Sequence, residues 1–131
     1  MSQQIVDNLS KLTNFSFTGA ASEESINNAQ QELNLKFSTD YREIASKYGA
    51  ISYTGHNLTG ISPYPGNNVV IVTKEQRTIN PNIPESFYVI EEAHLDSIVV
   101  WQSATGEIYQ TEYDGKPHLI YKSLAEYIEA V

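Results

Sequence analysis

The chain has 131 residues, 40% of them hydrophobic and 18% charged, and these fractions predict one folded domain over residues 1–131 rather than a disordered segment. It contains no cysteine, which excludes disulfides, thiolate catalysis and cysteine-based zinc sites. The net charge is −8 and uneven, since residues 85–131 carry nine acidic side chains against two lysines; this disfavours a nucleic-acid partner, because phosphate binding depends on lysine and arginine.

The first half of the chain predicts three helices. Apolar residues at helical spacing over Ile5–Leu12 predict a short amphipathic helix. Two further apolar stripes, over residues 26–33 and 41–48, predict a second and a third helix. The expected caps are Ser22 for the second helix and Ser38 or Thr39 for the third, and the expected stops are Asn34 and Gly49.

From residue 50 the pattern favours strands. Ile51–Thr54 and Leu58–Ile61 predict two short strands joined by a turn at residues 55–57. The stretch Asn67–Asn80 leaves two possibilities open. Residues 69–73 have high strand propensity, which favours a strand. The same stretch also fits a helix capped by Asn67, with one face formed by Val69, Val72, Gln76 and Ile79.

The last third of the chain predicts an antiparallel meander followed by a helix. The β-rich runs are residues 87–91, 98–102, 107–112 and 118–121, and turn-forming residues separate them. Ser123 and Glu126 then match a capping box at the start of a closing helix. Helices, then a sheet, then a helix indicate an α+β fold with helices packed on an antiparallel sheet.

No pattern in the sequence predicts catalysis. The histidines His56, His94 and His118 are isolated from one another, so we expect no metal site. Neither a nucleophile elbow nor a glycine-rich phosphate loop is present. Adjacent acids on a strand point to opposite faces, so Glu91 and Glu92 do not form an obvious acid–base pair. We therefore expect no catalytic residue and no cofactor.

The longest apolar run and the N-terminal residues indicate where in the cell the protein is expected. Val69–Val72 is far shorter than the roughly 20 residues that a membrane-spanning helix needs. Met1–Gln4 shows neither the basic nor the apolar part of a secretory signal. We therefore expect a cytoplasmic protein without a membrane partner.

Acidity and aromatic content each allow two interpretations. An acidic surface attracts basic proteins, but it also simply maintains solubility. The nine tyrosines and Trp101 are favoured at protein interfaces, but aromatic residues are also good strand formers. Tyr41, Tyr48 and Tyr127 lie on apolar stripes and are expected in the core. The tyrosines expected on exposed edges or loops are Tyr53, Tyr64, Tyr88, Tyr109 and Tyr113.

Several segments together resemble the SUKH superfamily, which includes fungal cell-wall-assembly regulators and many bacterial immunity proteins. Asn34 stands where that pattern usually has glycine, and Ser38 stands where it has proline; both keep the mechanical role of the residue they replace. The resemblance implies a helix, not a strand, over Asn67–Ile79. The segments that carry it are Ile26–Leu33, Leu35–Ile44, Tyr48–Gly49, Val69–Arg77, Phe87–Glu91 and Ser123–Val131.

The resemblance implies an α+β fold in which an antiparallel or mixed sheet of about six strands packs against N-terminal helices, one mid-chain helix and a C-terminal helix. It also implies a cytoplasmic immunity protein whose partner is a cognate toxin, often a nuclease, with a regulatory or scaffold module as the alternative. The motif carries over no contact site. Our expected contact residues are therefore three acids around one turn and two aromatic anchors: Glu91, Glu92, Asp96, Trp101 and Tyr113.

Overall fold

The computed structural model describes residues 9–93, 97–113 and 115–130. The α+β class is confirmed, since within these residues four α-helices accompany seven β-strands. The helices are α1 (Glu23–Leu33), α2 (Thr39–Tyr48), α3 (Val69–Ile79) and α4 (Leu124–Glu129). The strands are β1 (Ser16–Phe17), β2 (Ile51–Tyr53), β3 (His56–Asn57), β4 (Tyr88–Glu92), β5 (Ile98–Gln102), β6 (Ile108–Glu112) and β7 (His118–Tyr121).

The strands form two antiparallel sheets. The smaller sheet has the order β1-β2-β3, and the larger is the predicted meander β4-β5-β6-β7. Leu58, just after β3, forms an isolated antiparallel bridge with Glu91 on β4. The next residue, Thr59, donates its backbone N–H to the carbonyl of Ile90 at 2.8 Å. The hairpin β2-β3 is therefore held against the first edge of the larger sheet.

Helices cover both faces of the larger sheet. Along each strand, the side chains of successive residues point to opposite faces of the sheet. On one face, Val72 of α3 packs in a cluster with Val89, Val99 and Trp101. On the other face, the main core joins Tyr88 of the sheet to residues of α1, α2 and α4, among them Ile26, Leu33, Tyr41, Leu124 and Ile128.

The predicted caps of α1, α2 and α4 are confirmed. Ser22, Ser38 and Ser123 each accept a backbone N–H in the first turn of their helix. Asn34 ends α1 in the left-handed conformation, with φ of 55°. Gly49 follows α2 with φ of 77°, and a side chain there would also collide with the carbonyl oxygen of Gly19. Glycine at position 49 is therefore required by backbone conformation and by space.

The mid-chain helix confirms the expectation taken from the family resemblance. Residues 69–73 have high strand propensity but form a helix, because in a helix Val69 and Val72 lie on one face that packs into the protein. They are 0% and 1% exposed. The cap is Asn68, one residue later than expected: its side-chain oxygen accepts the N–H groups of Val70 and Ile71 at 3.0 and 3.2 Å.

Replacing Asn68 by alanine is expected to lower the free energy of unfolding by about 1–2 kcal/mol, because two N–H groups at the start of α3 lose their acceptor. Urea denaturation of the purified variant measures the change. Asn28→Ala is the matched control: Asn28 lies exposed inside α1, and its replacement is expected to change stability by less than about 0.5 kcal/mol. Equal effects of the two substitutions would contradict the assignment of the cap.

Two predictions of local structure need correction. The turn of the first hairpin is Thr54-Gly55, with φ of 40° and 81°, and not residues 55–57. Positive φ at both central residues is typical of a two-residue hairpin turn, whose twist matches that of the strands. Because the turn has only two residues, His56 and Asn57 belong to the second strand of the hairpin. Leu58–Ile61 forms two isolated bridges, at Leu58 and Gly60, where a strand was predicted.

The predicted first helix lies only partly within the described residues. Residues 9–11 form a single turn of 3-10 helix, with Leu9 buried in the main core. Ile5 and Val6, on which the helical spacing also depended, lie outside the described residues.

Two polar side chains of α3, Thr73 and Arg77, have a structural role. Thr73 is fully buried, and its hydroxyl accepts the backbone N–H of Val89 on β4 at 3.0 Å. One turn later, the Arg77 guanidinium donates to the carbonyl of Glu85 at 2.6 Å. Both side chains therefore fix the segment that enters β4 against α3.

Candidate partner-binding surface

The five expected contact residues lie in three different environments. Glu92 and Tyr113 line the same shallow surface pocket. Glu91 and Trp101 are buried, being 5% and 0% exposed. Asp96 lies outside the described residues.

Trp101, expected as an exposed anchor, instead belongs to the core. It packs with Val72 of α3, and its indole N–H donates to the Thr111 hydroxyl at 2.9 Å. A tryptophan whose polar atom is paired inside the protein has no free edge for a partner. The strand run predicted its secondary structure but not which face of the sheet α3 covers.

Glu91 is also internal, because a bulge in β4 shifts the register just before it. Val89 pairs with Trp101 and Glu91 pairs with Val100, so Ile90 is the additional residue. The bulge moves Glu91 to the sheet face that carries the main core and leaves Glu92 on the face of α3.

Neighbouring groups compensate the burial of the Glu91 carboxylate. His56 Nδ1 lies 3.0 and 3.1 Å from its two oxygens. The backbone N–H of Asn57 donates to Oε2 at 3.1 Å, and the Tyr127 hydroxyl donates to Oε1. A buried carboxylate is tolerated only when it is hydrogen-bonded, so these contacts tie the hairpin and α4 to β4.

Tyrosines surround the same carboxylate. Burial raises the pKa of the Tyr127 hydroxyl, and its hydrogen bond to Glu91 raises it further. Burial and then the charge of Glu91 likewise raise the pKa of Tyr53, whose hydroxyl has no hydrogen-bond partner within the described part of the chain. Burial, reinforced by Glu91, therefore keeps both phenols protonated.

The tyrosines as a group divide between core and surface. Tyr41 and Tyr48 are buried as expected, whereas Tyr127, also expected in the core, is half-buried at its edge. Tyr53 and Tyr88, expected at edges or loops, are buried instead because both strands lie between layers. Among the remaining tyrosines, Tyr64 and Tyr113 are the ones with large exposed rings.

The pocket that Glu92 and Tyr113 share is an exposed apolar surface with a polar wall. Its volume is about 170 Å³, and it lies between the C-terminal turn of α3 and the adjoining ends of β4, β5 and β6. Tyr113 is 63% exposed and Ile79 is 55% exposed, which is unusual for large apolar side chains so close together. We call this site the Tyr113 surface; its lining residues are Gln76, Ile79, Glu92, Ser97, Ile98, Val99 and Tyr113.

Ile79 differs in exposure from the residues with which it shares a helical face. It was grouped with Val69, Val72 and Gln76 on one face of the possible helix, but it is 55% exposed whereas Val72 is 1% exposed. This face continues past the edge of the sheet, so the last turn of α3 presents Ile79 to solvent. The polar Gln76 in the preceding turn is the signal that could have indicated it.

Backbone geometry aims the Tyr113 ring. Tyr113 has φ of 54°, a left-handed conformation that is uncommon for a bulky side chain. Its N–H donates to the carbonyl of Ser97 at 3.2 Å, and Ser97 also has φ of 54°. Strained backbone of this kind often marks a functional position.

Carboxylates border the Tyr113 surface. Gln76 donates its side-chain amide to Glu92 and so holds that carboxylate at the pocket wall. Glu75 lies one helical turn before Ile79 and is exposed. Glu112 is exposed beside Tyr113 and pairs across the sheet with Ile98, which lines the pocket. Apolar area surrounded by acidic groups suits a partner that is both apolar and basic.

A second concavity lies beside the hairpin, on the face of the larger sheet that carries the main core. It is an open groove of about 690 Å³ whose lining includes His56, Glu91, Leu119, Tyr121 and Tyr127. We call it the Glu91 groove. Leu119 is 56% exposed at its border, and the Tyr121 and Tyr127 rings meet edge to face at 5.7 Å.

Two chemical features are absent from the described residues. No three His, Asp or Glu side chains within residues 9–93, 97–113 and 115–130 are arranged to share a metal ion. In the same ranges, no helix has the length and apolar character required to cross a membrane.

Comparison with known proteins identifies the family. No curated protein matches the chain. The family model SUKH_6, described as SMI1-KNR4 cell-wall, matches residues 23–128, which run from the first residue of α1 to the last turn of α4. Because this match covers most of the sequence, the chain belongs to the SUKH_6 (SMI1-KNR4 cell-wall) family.

Proposed function

We propose that this protein is a cytoplasmic immunity protein that binds and neutralises a cognate toxin domain, and that the Tyr113 surface makes the contact. Membership of the SMI1-KNR4 family supports a role based on protein binding. The observation that carries the proposal is the exposed pair Ile79 and Tyr113 beside the carboxylate of Glu92. The protein acts by binding the toxin domain and blocking it, and it catalyses no reaction of its own.

The charge distribution supports a basic, nuclease-type toxin as the partner. Nucleases present basic grooves to their nucleic-acid substrates. A protein of net charge −8 with most acids in residues 85–131 is attracted to such a groove and competes with the substrate. Tyr113 then supplies the large, partly apolar contact area that interfaces favour at their centre.

A regulatory or scaffold module is the second candidate, and the cell-wall description of the family favours it. The two functions predict different survival of cells that produce the toxin. Co-expression with a toxin domain encoded by a neighbouring gene separates them: an immunity protein restores growth, whereas a regulatory module does not. Growth that is not restored contradicts the immunity proposal.

Tyr113→Ala is expected to weaken binding of the toxin domain by about 2 kcal/mol, which is a rise in Kd of about thirtyfold, because a central aromatic contact is removed. Isothermal calorimetry on the purified pair measures it. Tyr64→Ala is the matched control, since Tyr64 is a tyrosine of similar exposure, 61%, in a different part of the chain. If both variants bind equally well, the contact lies elsewhere.

The association rate with the toxin is expected to fall as salt is added, because exposed charges are screened beyond about 8–10 Å at physiological ionic strength. Replacing Glu75 and Glu112 together by glutamine is expected to lower the rate at low salt and to flatten its salt dependence, with little effect on dissociation. Stopped-flow mixing measures both rates. A rate that is independent of salt in the unaltered protein contradicts electrostatic attraction.

A further inference from the structure

The Glu91 groove contains chemistry that the Tyr113 surface does not use. A carboxylate oxygen can only accept, so the Nδ1 atom of His56, 3.0 Å from Glu91, must carry the proton. In the neutral ring this leaves Nε2 as the acceptor. His56 is partly exposed, with 37% of its side chain accessible, and it lines the groove. The groove therefore combines a polarised acceptor with a carboxylate directly behind it.

The surrounding side chains match an elongated cation. The rings of Tyr121 and Tyr127 form an aromatic corner on the groove wall, and aromatic faces attract ammonium and guanidinium groups. Ile120, half-buried in the groove lining, offers apolar surface to an aliphatic stem. An anion is disfavoured here, because the nearest buried charge is the carboxylate of Glu91.

We propose that the Glu91 groove binds one cationic side chain, an arginine or a lysine, of the partner protein. The cationic head donates to Nε2 of His56, with Glu91 as the counter-charge, while the stem lies against Ile120 and the ring of Tyr121. This inference rests on the proposed function, since it assigns a second contact to the same basic partner. It places that contact on the hairpin and α4 side of the sheet, away from α3.

Small probes test the groove without any toxin. The probes are the N-acetyl N-methylamide derivatives of arginine and lysine, and the control is the same derivative of citrulline, which has the shape of arginine without its charge. Each is titrated into the ¹⁵N-labelled full chain while backbone amide shifts are followed. We expect the arginine or lysine probe to shift the amides of Gly55, His56 and Leu119 in a saturable way, with the citrulline probe at least tenfold weaker.

Two variants make the result specific. Glu91→Gln keeps the size of the side chain and removes its charge, and it is expected to weaken binding of the cationic probe at least tenfold. Tyr121→Ala, at the half-buried wall, is expected to weaken it severalfold, and it remains informative if the Glu91 variant does not fold. Equal binding of citrulline and arginine, unchanged binding by Tyr121→Ala, or shifts confined to the neighbourhood of Glu75 and Glu112 would overturn the proposal.

The probe titration and the co-expression experiment fail independently. A chain that protects cells but shows no saturable shifts in the groove is an immunity protein without this contact. A chain that binds the arginine probe in the groove but does not restore growth has the cation site and a different partner. The first result overturns the groove alone, and the second overturns the immunity function alone.

Discussion

The double variant His56→Ala/Tyr127→Phe is expected to lower the free energy of unfolding by about 3–5 kcal/mol, because it leaves the buried Glu91 carboxylate without its side-chain donors. The Glu91 side chain is only 7% exposed, so water cannot replace both donors fully. The backbone N–H of Asn57 would remain as its hydrogen-bond donor. Chemical denaturation of the folded variant measures the loss.

Two comparisons separate the buried charge from simple loss of packing. Tyr121→Phe is the control: its ring contacts Tyr127, but its hydroxyl is not a donor to Glu91, and its effect is expected below about 0.5 kcal/mol. Adding Glu91→Gln to the double variant is expected to restore part of the lost stability, since no charge is then buried. A further loss on adding Glu91→Gln would show that the carboxylate is solvated in the double variant.

Helices were the elements that the sequence predicted best, and their caps explain why. A capping serine or asparagine accepts a backbone N–H only two or three residues further along the chain. A cap can therefore be predicted from the local sequence without knowledge of the fold. Ser22 and Ser123 were therefore found directly, and Ser38 was one of two candidates for its helix. The helix α3 was not found in this way, because its valines favour a strand locally and only packing on the sheet decides otherwise. The family resemblance supplied that decision.

The contact residues were harder to predict, since exposure depends on register. Alternation correctly indicated that Glu91 and Glu92 face opposite sides of a strand. A single additional residue, Ile90, exchanges the two faces, and nothing in the local sequence marks this bulge. Trp101 is buried because α3 crosses its side of the sheet, which is a property of the topology.

Charge and aromatic content allowed two interpretations each and did not locate a surface. The nine acids in residues 85–131 fit a basic partner or simple solubility, and their spacing does not reveal that Glu92 and Tyr113 line one pocket. That neighbourhood depends on the pairing of Ile98 with Glu112 across β5 and β6. Ile79 joins them from a distant helix, so only the folded chain assembles the Tyr113 surface.

Above about pH 10 the protein is expected to lose stability steeply, at about 5 kcal/mol per pH unit. Burial raises the pKa of four tyrosines, Tyr41, Tyr53, Tyr88 and Tyr127, above that of an exposed phenol. The unfolded chain releases these four protons near pH 10 and the folded chain retains them, so rising pH favours unfolding. Their stabilising contribution is complete below pH 10 and disappears as the pH approaches their folded-state pKa.

Tyrosinate absorbance and circular dichroism, followed together during an alkaline titration, measure this effect. Absorbance from the four buried phenols is expected to rise in the same pH interval in which the helical signal is lost, whereas urea-unfolded protein titrates all nine tyrosines near pH 10. Tyr127→Phe removes one of the four protons, so the dependence of unfolding free energy on pH should become about one quarter less steep. Complete ionisation of the tyrosines with the helical signal intact would contradict this prediction. It would mean that hydroxide reaches the buried phenols of the folded protein, although Tyr41 and Tyr88 are only 3% and 0% exposed.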